Sequence, residues 1–236
     1  MGSEMCIRDR VDHHAAGKRL VYTVYGTPAW ASTRPGTPDP YGMPGGDSRP
    51  ADLADLRAFV TALVARYNGD GTRRLQHVEI WNEPDLSGLS YWRDGPEDLA
   101  ALARAVYQAA KAADPGIVVL GPAWVDFAAE RSASNKVRRF MAASDGAGGT
   151  GGQWADVMAF HYYHYWDENP VEMLDLIEGM RLTRAEIGRP NWDLYLTEIG
   201  DNKTWTNLSP SLEVKARTIR RWMLLGAVSY THLRAH

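Results

Sequence analysis

Val78-Glu79-Ile80-Trp81-Asn82-Glu83-Pro84 and Leu194-Tyr195-Leu196-Thr197-Glu198-Ile199-Gly200 are the two stretches that decide how this chain folds. Each is a short apolar run, rich in β-branched or aromatic residues, that delivers a glutamate just before a strand-breaking Pro or Gly. A continuous apolar run of this length is the pattern of a parallel strand buried on both faces. A carboxylate at the end of such a strand is expensive to bury, so its presence needs a reason. Here there are two, at equivalent places, 115 residues apart.

Working outward, the same pattern recurs. Strands are predicted at Leu20–Tyr25, Val78–Trp81, Ile117–Leu120, Val157–Phe160 and Leu194–Thr197. Helices are predicted at Asp52–Tyr67, Pro96–Ala113, Lys136–Ala143, Val171–Ile187 and Ser211–Leu225. The first carries Leu53, Leu56, Val60, Leu63 and Val64 on one face, and the second opens with Pro at a favoured first-turn position. Val11–Ala16 with Gly17 resembles the last turn and cap of an earlier helix. Thr33–Pro50 and Gly146–Gly152 read as loops.

Five strands, each followed by a helix, argue a parallel sheet covered on both sides. An open doubly wound sheet and a closed eight-fold barrel share this periodicity. Polar groups at the carboxyl ends of different strands favour the barrel, whose strand-to-helix loops converge on one mouth. Eight βα units need ~250 residues or more. The expected fold class is therefore an α/β chain forming an incomplete (β/α)8 TIM barrel, with strands three to seven present and strands one, two and eight missing.

The two termini read differently. Gly-Ser-Glu-Met-Cys-Ile-Arg-Asp-Arg at 2–10 and Val-Ser-Tyr-Thr-His-Leu-Arg-Ala-His at 228–236 read as translations of the two strands of one sequencing-library adapter. Residues 1–10 and 228–236 are thus expected to be non-native, leaving 11–227 as a partial (β/α)8 domain. The single cysteine, Cys6, lies in the first of these segments, so the interior offers no disulfide or thiol chemistry. Without Arg8, Arg10, Arg234, Glu4 and Asp9 the net charge moves from −3 to about −4. No basic block suits a phosphate backbone, which counts against nucleic acid as a partner. No run approaches the ~18 apolar residues of a membrane span.

A pair of carboxylates at strand ends is suited to acid/base and nucleophilic work on a glycosidic bond. In order along the chain, Thr27-Pro28-Ala29-Trp30-Ala31, Trp81-Asn82-Glu83-Pro84, His161-Tyr162-Tyr163 and Thr197-Glu198 resemble the ends of strands three, four, six and seven in clan A of the retaining glycoside hydrolases. The likeness is closer to family 39 than to families 5 or 51. It spans the whole interior. It implies that Glu83 is the acid/base and Glu198 the nucleophile. It further implies that Asn82 holds the sugar 2-hydroxyl and that Tyr163 donates a hydrogen bond to Glu198. The implied substrate is a poly- or oligosaccharide, with no cofactor. Strict strand alternation places Asn82 and Glu83 on opposite faces, so both reach one pocket only if the strand end twists or bulges.

Other residues extend the candidate site. His161 is expected to contact sugar. His161 and His164 have a His-x-x-His spacing, but an offset of three on a strand points the rings apart, so no metal is expected. Six of the nine tryptophans lie at strand ends or in the loops after them. Flat rings with one polar edge suit the C–H faces of sugars, and Trp30, Trp166 and Trp205 are the candidates. The rival reading is a carbohydrate-binding barrel without catalysis, which the presence of both carboxylates disfavours. A serine hydrolase on an open sheet would carry a Gly-x-Ser-x-Gly elbow, and the chain has none.

Overall fold

Strands and helices alternate through the computed structural model, which describes residues 17, 19–72, 74–86, 91–125, 136–164 and 172–201. The order is β1 (Val21–Val24), α1 (Leu53–Asn68), β2 (His77–Ile80), α2 (Pro96–Ala113), β3 (Val118–Trp124), α3 (Lys136–Ala142), β4 (Val157–His164), α4 (Glu172–Glu186) and β5 (Leu194–Asp201). Helix starts follow local chemistry. The Asp52 carboxylate caps α1 by accepting from the Ala54 N–H at 2.7 Å. Helix α2 begins at Pro96, with Glu97 and Asp98 in its first turn and Lys111 in its last, each charge opposing the adjacent end of the helix dipole. The helices expected at Val11–Ala16 and Ser211–Leu225 lie outside the described residues.

Strands β3, β4 and β5 run up to four residues past their expected ends, taking in Gly121–Trp124, His161–His164 and Glu198–Asp201. The apolar run marks only the stretch buried on both faces. Ladder pairing continues beyond it because each neighbouring strand also extends, with register shifts in β3–β4 and β4–β5 absorbing the added twist.

All pairings are parallel, in the order β1-β2-β3-β4-β5. The two faces differ sharply. Val78, Ile80, Val119, Met158 and Phe160 face the helices and join Val60 and Val64 of α1 and Leu99 and Leu102 of α2 in one buried cluster. Each such side chain contributes roughly 1.5–3 kcal/mol on burial. The opposite face carries the in-register row Thr23, Glu79, Leu120 and Val157, and above it Ala123, Ala159 and Tyr195. Leu120, Ala123, Val157 and Ala159 make a second, smaller core there. His77 on β2 meets Tyr195 on β5 across this face, ring centroids 5.7 Å apart, although two strands separate them in the sheet. Only a strongly curled sheet allows that contact. The chain is a half-barrel with helices outside, the architecture of an incomplete (β/α)8 barrel.

Candidate active site

The carboxyl end of β2 is built under strain. After Ile80 the backbone leaves extended geometry, and Trp81 (φ 59°) and Glu83 (φ 42°) both take left-handed conformations. Bulky side chains adopt that region at a cost of roughly 1–2 kcal/mol per residue, so the surroundings must impose it. They do. The Trp81 N–H donates to the Val24 carbonyl at 3.0 Å, and the Glu83 N–H donates to the Ala123 carbonyl at 3.0 Å. The Trp81 carbonyl accepts from the Ala123 N–H at 3.2 Å, while its buried indole N–H donates to the Tyr91 carbonyl at 2.7 Å. Asn82, between the two left-handed residues, bridges Ala123. Strand alternation therefore stops at Ile80, and the opposite-face constraint on Asn82 and Glu83 no longer applies.

A bulge performs the corresponding task on β5. Phe160 pairs with Leu196, but His161 pairs with Glu198, so Thr197 is an extra residue on β5. Without it, Glu198 would share the face of Leu194 and Leu196, the partners of Met158 and Phe160 on the helix side. The bulge moves Glu198 onto the inner face beside His161.

Three side chains converge as a result. His161 Nδ1 lies 2.8 Å from Glu83 Oε1 and 3.7 Å from Glu198 Oε2, and the ligating atoms of all three residues lie within 4.8 Å of one another. Glu83 and His161 are buried, while the Glu198 side chain is 44 % exposed. Burial opposes a charged His161, but its hydrogen bond to Glu83 and the nearby charge of Glu198 outweigh this and raise its pKa. Burial raises the pKa of the Glu198 carboxyl, and the charges of Glu83 and Glu79 add to this while His161 opposes it. The same three atoms form the one cluster among the described residues with the spacing to ligate a divalent cation.

Two parts of the site were not anticipated from the sequence. Glu79, one step below on the inner face, is buried and accepts from the Thr23 hydroxyl at 2.7 Å. Its charged position inside a buried strand was the available signal. The second is a tyrosine cluster beside Glu83. Tyr25 packs against Trp81, Tyr41 and Tyr91 at centroid distances of 5.2, 5.8 and 6.0 Å. Burial chiefly, then a hydrogen bond to Tyr41 and the charges of Tyr41, Glu83 and Glu198, push the Tyr91 hydroxyl pKa up. Tyr25 immediately follows β1, a strand-end position of the kind that singled out the glutamates.

The remaining candidates are placed as follows. Trp30 is 77 % exposed and lines a hollow of about 210 Å³ with Tyr22, Leu56 and Phe59, on the helix side of β1. Tyr163 lies on β4 opposite Gly200, and the hydrogen bond expected of its hydroxyl falls outside what is described. Trp166 and Trp205 lie outside the described residues.

No family model matches the chain, and no curated protein matches it. Solved structures do. A glucosidase from Croceicoccus marinus superposes with a TM-score of 0.60 at 16 % identity, over 86 % of this chain and 38 % of its own length. A monomeric β-xylosidase from Caulobacter crescentus CB15 gives 0.59 at 23 %, over 81 % and 39 %. A family 39 glycoside hydrolase from Bacteroides cellulosilyticus WH2 gives 0.59 at 18 %, over 94 % and 43 %. The likeness is one of fold, and the chain spans about two-fifths of the length of these proteins.

Proposed function

We propose that residues 11–227 belong to a retaining O-glycoside hydrolase that works by double displacement, with Glu83 as acid/base and Glu198 as nucleophile. The observation that carries this reading is the approach of the two carboxylates, within 4.8 Å, from the ends of β2 and β5. Retaining enzymes hold their carboxyls ~5–5.5 Å apart, whereas inverting ones leave ~6.5–9.5 Å for a water. One oxygen of Glu83 lies within 4.8 Å of one oxygen of Glu198, an approach in keeping with direct attack.

The chemistry follows from the protonation of the cluster. A neutral His161 beside a protonated Glu83 holds as many protons as a cationic His161 beside an ionised Glu83. The two states differ by one transfer across the 2.8 Å hydrogen bond. That shared proton goes to the leaving oxygen as ionised Glu198 attacks the anomeric carbon; the glycosidic C–O bond breaks and an ester to Glu198 forms. Water then attacks the same carbon, Glu198 departs, and the Glu83–His161 pair takes the water's proton. Ionised Glu198 is opposed by burial and by two carboxylate neighbours, and His161 provides the compensating attraction. Asn82 is assigned to the sugar 2-hydroxyl, and Tyr163 to a hydrogen bond on Glu198.

Glucosides and β-xylosides are the first substrates to test, since the superposed structures include a glucosidase and a β-xylosidase. In the full-length protein containing residues 11–227, Glu198→Ala should abolish turnover of 4-nitrophenyl glycosides, and azide should restore part of it. Glu83→Ala should spare aryl leaving groups, which depart without protonation. Near-normal turnover by Glu198→Ala would remove the assignment. Sugar binding with no turnover by the wild type would favour a non-catalytic barrel.

A further inference from the structure

The loop between β1 and α1 has no strand or α-helix of its own, yet it is held rigidly. The Thr27 hydroxyl donates to the Ser48 carbonyl at 2.6 Å, and the Ser32 hydroxyl donates to the Gly45 carbonyl at 3.0 Å. At its centre the Asp39 carboxylate is buried. Oδ1 accepts the N–H groups of Tyr41 and Met43 at 2.9 and 2.8 Å, and Oδ2 accepts the Tyr25 hydroxyl at 2.8 Å. On this buried anchor stands Tyr41, 64 % exposed, edge-on to Tyr25 and 5.4 Å from the Tyr91 ring. An exposed aromatic ordinarily keeps its rotamer freedom. Here the Asp39 hydrogen bond holds its backbone and two flanking rings hold its side chain, the arrangement that lowers the entropy lost when a ligand stacks on it.

Position gives the ligand. Sheet order places β1 and its loop beyond β2, on the side of Glu83 away from β3, β4 and β5. Glu198 and His161, on β5 and β4, lie on the other side of Glu83. Tyr25 packs 5.2 Å from the Trp81 ring, and the Tyr91 carbonyl accepts the Trp81 indole N–H at 2.7 Å, so the shelf adjoins the turn that carries Glu83. In a double displacement the acid touches the leaving oxygen, so whatever lies beyond Glu83 from the nucleophile meets the leaving group.

We propose that Tyr41, backed by Tyr91 and anchored through Asp39, is the stacking platform for the leaving-group sugar, which makes the natural substrate an oligo- or polysaccharide rather than a simple glycoside. This rests on the glycosidase reading above. The test compares substrates that share a glycone but differ in what leaves: xylobiose and cellobiose against β-xylosyl and β-glucosyl fluoride, whose leaving fluoride has no face to stack. In the full-length protein, Tyr41→Ala should lower kcat/KM on the disaccharides by about 10-fold, while Tyr41→Phe, which keeps the ring, should hold it within about 2-fold. On the fluorides any loss in Tyr41→Ala should be clearly smaller than the loss on the disaccharides. Equal loss on disaccharides and fluorides, or no loss on either, would overturn the proposal. A wild-type protein inactive on both fluorides would instead refute the glycosidase reading, and this inference with it. Activity on the fluorides with unaltered disaccharide cleavage in Tyr41→Ala would overturn only the platform.

Discussion

Replacing His161 by Gln tests the proposed sharing of a proton between His161 and Glu83 directly. The change keeps a side chain capable of hydrogen bonding but removes the only cationic group between the two glutamates in the described cluster. The lost interaction is a buried 2.8 Å hydrogen bond between His161 and Glu83. Hydrogen bonds to charged groups are worth about 1.5–3 kcal/mol, so kcat/KM at its optimum should fall by roughly 10- to 150-fold. The pH profile should change in a specific way. On the proposed mechanism, wild-type activity should be lost as pH falls through the pKa of Glu198, which is raised, because the assigned nucleophile becomes protonated. It should be lost again as pH rises through the raised pKa of His161, because the shared proton leaves. In His161→Gln the opposing effect of His161 on Glu198 disappears, so the acid limb moves up. With the imidazole gone, its raised pKa no longer sets the alkaline limb, so both sides of the bell change. Initial rates of aryl glycoside cleavage between about pH 4 and about pH 9, on the full-length protein with its melting temperature checked, provide the measurement. A His161→Gln profile that is lower but of unchanged width would refute the coupling, leaving His161 with a steric role only.

Two further outcomes follow from the packing. Trp81→Ala in the full-length protein should cost about 3–5 kcal/mol in urea unfolding, as expected for truncating a large buried aromatic. That ring lies 4.9 Å from Trp92 and 5.2 Å from Tyr25, so a loss below about 1 kcal/mol would show that these contacts do not hold the turn bearing Glu83. The 236-residue chain expressed alone should be insoluble or molten and inactive. Strands β1 and β5 each pair on one side only among the described residues, and Val21 and Phe59 are exposed beside β1. A soluble monomer with a sharp melt in near-UV circular dichroism would refute this.

The class of fold was legible because its signals are local. Five apolar runs, each followed by a helical stretch, needed no knowledge of the rest of the chain, and Pro96–Ala113 begins and ends where its Pro and apolar periodicity place it. The two glutamates stood out for the same reason, as charges closing buried strands. Strand ends were less legible, since Gly121–Trp124 and His161–His164 are held by pairing with neighbours rather than by their own composition.

Which way Asn82, Glu83 and Glu198 face was decided only in three dimensions. Counted along the sequence with a period of two, Glu198 falls with Leu194 and Leu196 on the helix side, and Asn82 opposes Glu83. The Thr197 bulge reverses the first, and the left-handed turns at Trp81 and Glu83 release the second. Both devices depend on partners distant in sequence: Phe160 and His161 set the register of β5, while Val24, Ala123 and Tyr91 hold Trp81 and Glu83 in place. The tyrosine shelf has the same origin, because Tyr25, Tyr41 and Tyr91 meet only once β1 lies against β2 and the loop folds over Asp39. Alternation is a property of a single strand, and the sequence carries it openly. Bulges, forced turns and shared clusters are properties of neighbouring strands, and they exist only after the sheet has formed.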